Sequence, residues 1–337
     1  MRNFAKNLAL VLISVCFATA IAEGLLRLSF GAETFRYGWE ADYWRALRKT
    51  EGCSAPEHGD LEIDKNLGWR MRRGYSNGAT SHDENGYRNS TGRVLFPASR
   101  PIVAIGDSFT YGLGLPDSAT YSSRLQELTG RRVLNFGVNG FAVDQALMYW
   151  ESEARAFKPD LVVLGYFSDN FHRNAHRIRG LPKPGYDLLP DGSLEAFAVG
   201  NCDDLVEGVS LWRLPTLIQW SLRKFLDKAS GYPVQMLEQR RDLSRAVLSE
   251  LRDSVAAEGA SLVVLLIPHC AHPQDGAYGD WVLSRTKTDC SELGLNCIDF
   301  SDKTNVEDFG DNCHWSAATN SLAAERIIQM FPQFKAD

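Results

Sequence analysis

The sequence has 337 residues, enough for one large α/β domain or two ordinary domains. Hydrophobic residues make up 44% of it and charged residues 23%, a composition that is typical of a globular protein and excludes a disordered one. The net charge of −6 excludes a strongly basic surface, so we predict no nucleic-acid partner.

The N-terminus carries a targeting pattern. Arg2 and Lys6 precede an apolar run at residues 8–22, and Glu23 ends that run. Positive charges before an apolar core of this length are typical of a secretory signal. We therefore predict that the body of the protein is exported and that it contacts a membrane through the N-terminal helix.

Two outcomes are open for this segment. The small residues of Ala20-Ile21-Ala22 fit a cleavage site, which would release the protein. The helical apolar pattern nevertheless continues to residue 28. This continuation favours an uncleaved signal-anchor segment at residues 1–30, with secretion after cleavage near Ala22 as the alternative.

Cysteine usage also indicates export. Cys16 lies in the apolar run, and six further cysteines follow it, an even number that allows 15 pairings. Cys290 and Cys297 are close enough in sequence to form a local bridge. The absence of a Cys-x-x-Cys spacing leads us to predict no metal site. The six cysteines are Cys53, Cys202, Cys270, Cys290, Cys297 and Cys313.

Residues 31–100 form an irregular preface in which a helix at residues 36–48 is predicted. Two Gly-aromatic-Arg motifs, at residues 67–70 and 85–88, lie beside turn residues. Glycine and asparagine mark turns, so we interpret both motifs as hairpin turns that pack on the domain, with a substrate contact as the alternative.

Residues 101–337 alternate between short apolar runs and amphipathic helices. The pattern predicts an α/β fold whose parallel sheet is covered by helices on both faces. The predicted strands are at residues 102–105, 132–136, 161–165, 261–267 and 297–300, and the predicted helices are at residues 121–129, 144–157, 235–258, 278–293 and 317–331.

An insertion at about residues 171–233 follows the third strand. It contains a hairpin pattern at residues 187–197, centred on Asp191-Gly192, and an amphipathic helix pattern at residues 212–225. A long insertion at the carboxyl edge of a sheet is typical of either a lid or a packing appendage, and the sequence leaves both open.

Gly106-Asp107-Ser108 follows the first strand directly. Ligands of open α/β sheets bind in the crevice beyond the carboxyl ends of the strands, so Ser108 is a candidate nucleophile. Asp and Ser are also favoured helix N-caps, and capping is the alternative interpretation.

Asp311 and His314 lie three residues apart just before the last helix. A serine nucleophile needs a base to accept its proton, and the base needs a partner that fixes its tautomer. His314 and Asp311 supply both groups if the fold brings them to Ser108. The alternative is a helix cap beside a surface histidine.

Two loops are candidate oxyanion sites, residues 135–140 after the second strand and residues 166–170 after the third. A tetrahedral intermediate needs preorganised donors, which the backbone near a glycine and an Asn amide provide. Each loop alone is an ordinary βα turn. Together with the turn that carries Ser108, however, the two loops would form one site at three adjacent strand ends.

These motifs resemble those of the SGNH (GDSL-like) hydrolase family, in particular its exported, N-terminally anchored bacterial branch. The resemblance covers residue 67 to the end. It implies a flavodoxin-like five-stranded parallel sheet, no cofactor, and a catalytic domain at residues 101–337 on the periplasmic side of the inner membrane. It also implies that Ser108 is the nucleophile and an oxyanion donor, Gly140 a second donor, His314 the base and Asp311 its orienting residue.

The third motif departs from the family pattern. Where the family has Asn-Asp, this sequence has Asp169-Asn170. The oxyanion Asn is therefore either displaced to Asn170 or replaced by Asp169, and a carboxylate there would repel the oxyanion. We predict that Asn170 is the donor.

The resemblance implies a serine esterase that acts on acyl or acetyl esters of small molecules or glycans. A polysaccharide O-acetyltransferase would use the same acyl-serine intermediate and pass it to a sugar hydroxyl. A binding protein that keeps the fold without activity is a third possibility.

Overall fold

The computed structural model describes residues 2–30, 59–179, 181–200, 212–230, 234–270, 276–310 and 313–336. The chain forms two compact units. The first contains the described parts of residues 1–54, 178–182 and 200–236, and the second contains the described parts of residues 55–177, 183–199 and 237–337. The predicted helix at residues 36–48 lies outside the described residues.

Helices and strands alternate along the described residues of both units. The α-helices are α1 Arg2–Ser29, α2 Ser108–Tyr111, α3 Tyr121–Thr129, α4 Val143–Ser152, α5 Asn170–Arg173, α6 Arg213–Ser230, α7 Val234–Ala257, α8 Gly276–Glu292 and α9 Ala317–Met330. The strands are β1 Leu61–Asp64, β2 Gly68–Met71, β3 Ile102–Gly106, β4 Val133–Gly137, β5 Leu161–Phe167, β6 Ile178–Arg179, β7 Leu181–Pro182, β8 Gly185–Leu188, β9 Leu194–Phe197, β10 Ser261–Ile267 and β11 Asn296–Asp299.

The five-stranded sheet has the order β11-β10-β5-β3-β4, and every neighbouring pair is parallel. This is the flavodoxin-like order, so the predicted fold class is confirmed. Every residue of β3, β4 and β5 is buried, because helices cover both faces of the sheet. The strand order reverses next to β3, which places the end of β3 at the crevice where such folds bind ligands.

The predicted helices and strands of the sheet region are present with ends within two residues, except for the predicted helix at residues 144–157. There α4 ends at Ser152 and a 3₁₀ turn at Ala154–Phe157 follows. Asp144 is not the N-cap, which is Ala142. The Asp144 carboxylate lies 2.5 Å from the Lys183 ammonium in a fully buried ion pair, a contact that sequence spacing cannot reveal.

Both predicted turn motifs of the preface are turns. Gly68 opens β2 in the antiparallel pair β1–β2, and Gly86 lies in a turn closed by its N–H to the Asp83 carbonyl. The hairpin of the insertion is also present, as antiparallel β8 and β9 around Asp191-Gly192. Trp69 and Arg88 are buried, so these motifs pack against the core.

Helix α1 contains a 20-residue stretch, Leu10–Ser29, that is long and apolar enough to cross a membrane, features that a signal sequence shares. Among the described residues, two disulfides join Cys270 to Cys313 and Cys290 to Cys297. The predicted local bridge is therefore confirmed. Cys53 and Cys202 lie outside the described residues.

Candidate active site

The nucleophile candidate lies at the turn between β3 and α2. Ser108 is the first residue of α2, and Asp107 before it is the N-cap, whose carboxylate accepts a hydrogen bond from the Phe109 N–H at 2.9 Å. Asp107 therefore caps the helix, and the hydroxyl of Ser108 is not used for capping. Ser108 is 6% exposed, at the carboxyl edge of the sheet.

Three glycines hold this turn against the sheet. Gly106, Gly137 and Gly165 lie side by side in the register of β3, β4 and β5. A Cβ on Gly137 would overlap the backbone of Tyr111, and a Cβ on Gly165 would overlap the Thr110 hydroxyl. Helix α2 therefore packs directly on the backbones of three strands, which fixes the position of Ser108.

The structure brings Ser108 and His314 together. The distance between His314 Nε2 and Ser108 Oγ is 2.7 Å, a hydrogen bond between residues 206 positions apart in sequence. When Nδ1 carries the imidazole proton, Nε2 accepts from the serine hydroxyl, which is the arrangement that a general base needs.

Three contacts hold the segment that carries His314. The disulfide Cys270–Cys313 joins the residue before His314 to the segment after β10. The His314 carbonyl accepts a hydrogen bond from the Gly310 N–H at 2.7 Å. The imidazole packs on the ring of Phe109, with 4.8 Å between the ring centroids, so α2 contacts His314 as well as carrying Ser108.

Asp311, the predicted orienting residue, lies outside the described residues. Among the residues that the structure describes, no group of three or more His, Cys, Asp or Glu side chains is placed to hold a metal ion.

The loop after β4 approaches the nucleophile turn through its backbone. The Val138 N–H donates to the Gly106 carbonyl at 3.1 Å, and Gly140 follows two residues later with a φ of +84°. That left-handed conformation favours glycine. The Asn139 carbonyl accepts from the Trp69 indole N–H at 2.8 Å, which ties the loop to the buried preface hairpin.

Asn170 begins α5 and is buried. In the orientation that satisfies both ends of its amide, the nitrogen donates to the Phe141 carbonyl and the oxygen accepts from the Phe167 N–H, each at 3.2 Å. The amide nitrogen carries a second N–H, so this contact leaves a donor in addition to the one that binds Phe141.

Asp169 forms an ion pair with Arg173 one helical turn later, with 2.8 Å between Asp169 Oδ2 and Arg173 Nε. Its side chain forms no capping hydrogen bond to α5. The Asp169 carboxylate therefore binds the guanidinium of Arg173 and does not cap α5.

Arg173 is the site residue that sequence reasoning missed. Its Nη1 donates to Asp107 Oδ2 at 3.1 Å and to the Phe141 carbonyl at 3.0 Å. One buried guanidinium thus links the loops after β3, β4 and β5. The four-residue spacing between Asp169 and Arg173 was the available signal, since such pairs meet on a helix.

The same guanidinium stabilises a buried carboxyl next to the nucleophile. Asp107 is 1% exposed, and burial raises the pKa of its carboxyl above the ordinary value, although the neighbouring charge of Arg173 opposes that rise. A buried carboxylate without such a partner is costly. Arg173 therefore permits two acidic residues, Asp107 and Asp169, to flank the nucleophile.

Residues 102–327 match the family model of the GDSL-like lipase/acylhydrolases. A lipase/acylhydrolase structure from Enterococcus faecalis is similar at 14% identity, over 71% of this chain and 98% of its own, with a TM-score of 0.44. An acetyl xylan esterase from Geobacillus stearothermophilus is similar at 17% identity, over 68% of this chain and 94% of its own, with a TM-score of 0.39. No curated protein matches the chain.

Proposed function

The chain belongs to the GDSL-like lipase/acylhydrolase family of ester-acting hydrolases, and on that premise we propose that it is an exported serine esterase. It cleaves acyl or acetyl esters of small molecules or glycans through an acyl-serine intermediate. The observation that carries this proposal is the 2.7 Å hydrogen bond between His314 Nε2 and Ser108 Oγ.

The reaction follows from this pair. Ser108 Oγ attacks the ester carbonyl carbon while its proton passes to His314 Nε2. The tetrahedral intermediate collapses, the C–O bond to the alcohol breaks, and His314 returns the proton to the leaving oxygen. Water then attacks the acyl-serine with His314 as base, which releases the acid and restores Ser108.

Asp311 orients His314 in this proposal, as the family pattern implies. The two residues are three positions apart in the sequence, as in the family motif that this chain resembles. Holding the proton on Nδ1 keeps Nε2 free to accept from Ser108.

The proposed oxyanion donors are the N–H of Ser108, the N–H of Gly140 and the side-chain amide of Asn170. The ion pair between Asp169 and Arg173 supports Asn170 as the donor, because it gives the carboxylate a different partner. The contacts of Arg173 with Asp107 and Phe141 support the convergence of these three loops.

An assay of the purified full-length chain tests the function. We expect hydrolysis of p-nitrophenyl acetate and release of acetate from an acetylated glycan, and no activity in Ser108→Ala. Transfer of the acetyl group to a glycan in preference to water would identify an acetyltransferase. If the wild type matches Ser108→Ala in both assays, the fold serves binding and the proposal is wrong.

The proposed location is the periplasmic side of the inner membrane, with α1 as an uncleaved anchor. The two disulfides support it, since disulfides persist in oxidising compartments. An alkaline phosphatase fused after residue 35 should be active. Intact protein that is soluble in the cytoplasm, with reduced cysteines, would contradict this location.

A further inference from the structure

We propose that α6 is a membrane-surface helix, whose exposed apolar stripe lies in the bilayer that α1 enters. The inference goes beyond ester chemistry, but it rests on the proposed role of α1 as an anchor. It concerns only the first unit, in which α1 and α6 are in contact.

The stripe consists of Ile218, Leu222 and Phe225, which are 51%, 57% and 70% exposed. Spacings of four and three residues place them on one side of α6. Thr216 is buried and lies on roughly the opposite side of the helix, 160° around from Ile218 at about 100° per residue. The apolar side of α6 is therefore the side that points away from its buried contacts.

Glu23 connects this helix to the membrane span. It lies in the apolar stretch Leu10–Ser29 of α1, about 9 Å before the end of the helix at 1.5 Å per residue. Its carboxylate accepts hydrogen bonds from the backbone N–H groups of Arg213 and Leu214, at 3.0 and 2.8 Å.

A carboxylate within a membrane span requires partners, because an unpaired charge there is costly. The first turn of α6 supplies two of them. Arg27 supplies a third, with 2.7 Å between its Nε and the Glu23 carboxylate. If α1 occupies the bilayer, the start of α6 must lie at the depth of Glu23. A helix that begins at that depth and exposes an apolar stripe meets lipid.

The charge of α6 fits an anionic lipid surface. Its sequence contains four basic residues and one acidic residue, a net charge of +3 in a chain whose net charge is −6. Basic amphipathic helices bury their apolar side about 5–10 Å into the boundary between headgroups and acyl chains. We therefore identify the occupant of the stripe as a lipid surface and not a second copy of the chain.

The test uses the full-length chain in vesicles of phosphatidylglycerol and phosphatidylcholine that contain lipids with a quencher on the acyl chain. A fluorescent amino acid replaces one residue at a time, either Ile218 or Phe225 on the stripe. Gln219, which is exposed on the flank of the same helix, is the matched control. Leu12, which is 57% exposed within the span, reports whether α1 is in the membrane.

We expect strong quenching at Leu12, and quenching at Ile218 and Phe225 that is several-fold stronger than at Gln219. Quenching at Leu12 with equal, weak signals at the three α6 positions would overturn the inference and leave the anchor intact. Loss of quenching at Leu12 would overturn the anchor and the inference together. Energy transfer between α6 helices of two chains, without lipid quenching, would identify a second copy instead and contradict the proposal.

Discussion

The proposed nucleophile, Ser108, and the proposed base, His314, define two sides of the site, the nucleophile side and the base side, which are held in different ways. Ser108 follows β3 by two residues, and a turn packed on three strand backbones fixes it. His314 lies in an irregular segment between β11 and α9, held by a disulfide, a backbone hydrogen bond and a ring contact. The first arrangement uses the backbones of the parallel sheet, whereas the second depends mainly on a disulfide and a ring contact outside the sheet. The base should therefore be displaced by changes that leave the nucleophile in place.

The largest effect is expected from removal of the catalytic pair itself. Ser108→Ala and His314→Ala should each lower kcat by several orders of magnitude, because a nucleophile and its base act as a unit. A fluorophosphonate probe distinguishes the two sides: Ser108→Ala should not be labelled at all, whereas His314→Ala should be labelled slowly. Undiminished turnover in either variant would contradict the assignment.

Substitutions of Asn170 and Asp169 test whether the loop after β5 supplies an oxyanion donor next to Ser108. Asn170→Ala should lower kcat by a factor on the order of 10²–10³, equivalent to about 2.7–4 kcal/mol, because a preorganised donor is lost. Asp169→Asn should change kcat little, since the Asn oxygen still accepts from Arg173.

Turnover and Tm must be measured together on these two variants, because Asn170 is buried. A marked gain of activity in Asp169→Asn, with a silent Asn170→Ala, would show that Asp169 occupies the donor position. The negative charge of the Asp169 carboxylate would then be the feature that weakens the enzyme, because it repels the oxyanion.

Removal of each disulfide tests most directly whether the base can be displaced while the nucleophile stays in place. Replacing both Cys270 and Cys313 by Ser should lower kcat on the order of 100-fold, because a displacement of about 1 Å at a catalytic group has that effect. The matched control replaces Cys290 and Cys297, which close a shorter loop between α8 and β11. Loop entropy predicts stability losses of about 4 and about 2.5 kcal/mol for separations of 43 and 7 residues.

At a temperature where both double variants are folded, only the variant without Cys270 and Cys313 should lose turnover. Its KM should stay unchanged, since the substrate still meets an intact nucleophile side. Equal losses of kcat in the two variants would mean that the disulfide beside His314 has no positioning role.

Two glycine substitutions test how closely α2 packs on the sheet. Gly137→Ala should cost about 3 kcal/mol, because the new Cβ overlaps the rigid backbone of Tyr111. Gly165→Ala should be rescued by Thr110→Ala, since the overlapping atom is a side-chain hydroxyl. Urea unfolding of the single and double variants gives the coupling energy. Additive losses for Gly165 and Thr110 would contradict the close packing of α2 on β5.

The smallest effect concerns pH and the far end of α2. His82 is buried, with its Nδ1–H donating to the Arg72 carbonyl and its Nε2 accepting from the Tyr111 hydroxyl. Burial lowers the pKa of this imidazole below 6.5. As the pH falls below about 6.5, the unfolded chain takes up a proton that the folded chain does not, so the free energy of unfolding decreases.

His82→Gln removes this proton uptake. The variant should be less stable than the wild type at about pH 8, and the difference in Tm should narrow toward about pH 5. A difference that is independent of pH would show that His82 is not held neutral in the folded state.

The sequence by itself determined the sheet and the position of Ser108 at the end of its first strand. Buried parallel strands are continuous apolar runs, and a Gly-Asp-Ser turn is a local feature. Both can therefore be recognised from residues that are adjacent in the sequence. The start of α4 differed by one residue, because the Asp144 carboxylate binds Lys183 instead of capping the helix. Its end was wrong, because the chain leaves the α-helix at Ser152 and forms a 3₁₀ turn.

Only the tertiary structure decided how the rest of the site assembles. That His314 meets Ser108, that Cys313 pairs with Cys270, and that one guanidinium joins three loops are contacts between segments far apart in the chain. Sequence patterns report neighbours along the chain. The strand order next to β3, set by packing of the whole sheet, decides which of those segments become neighbours in space.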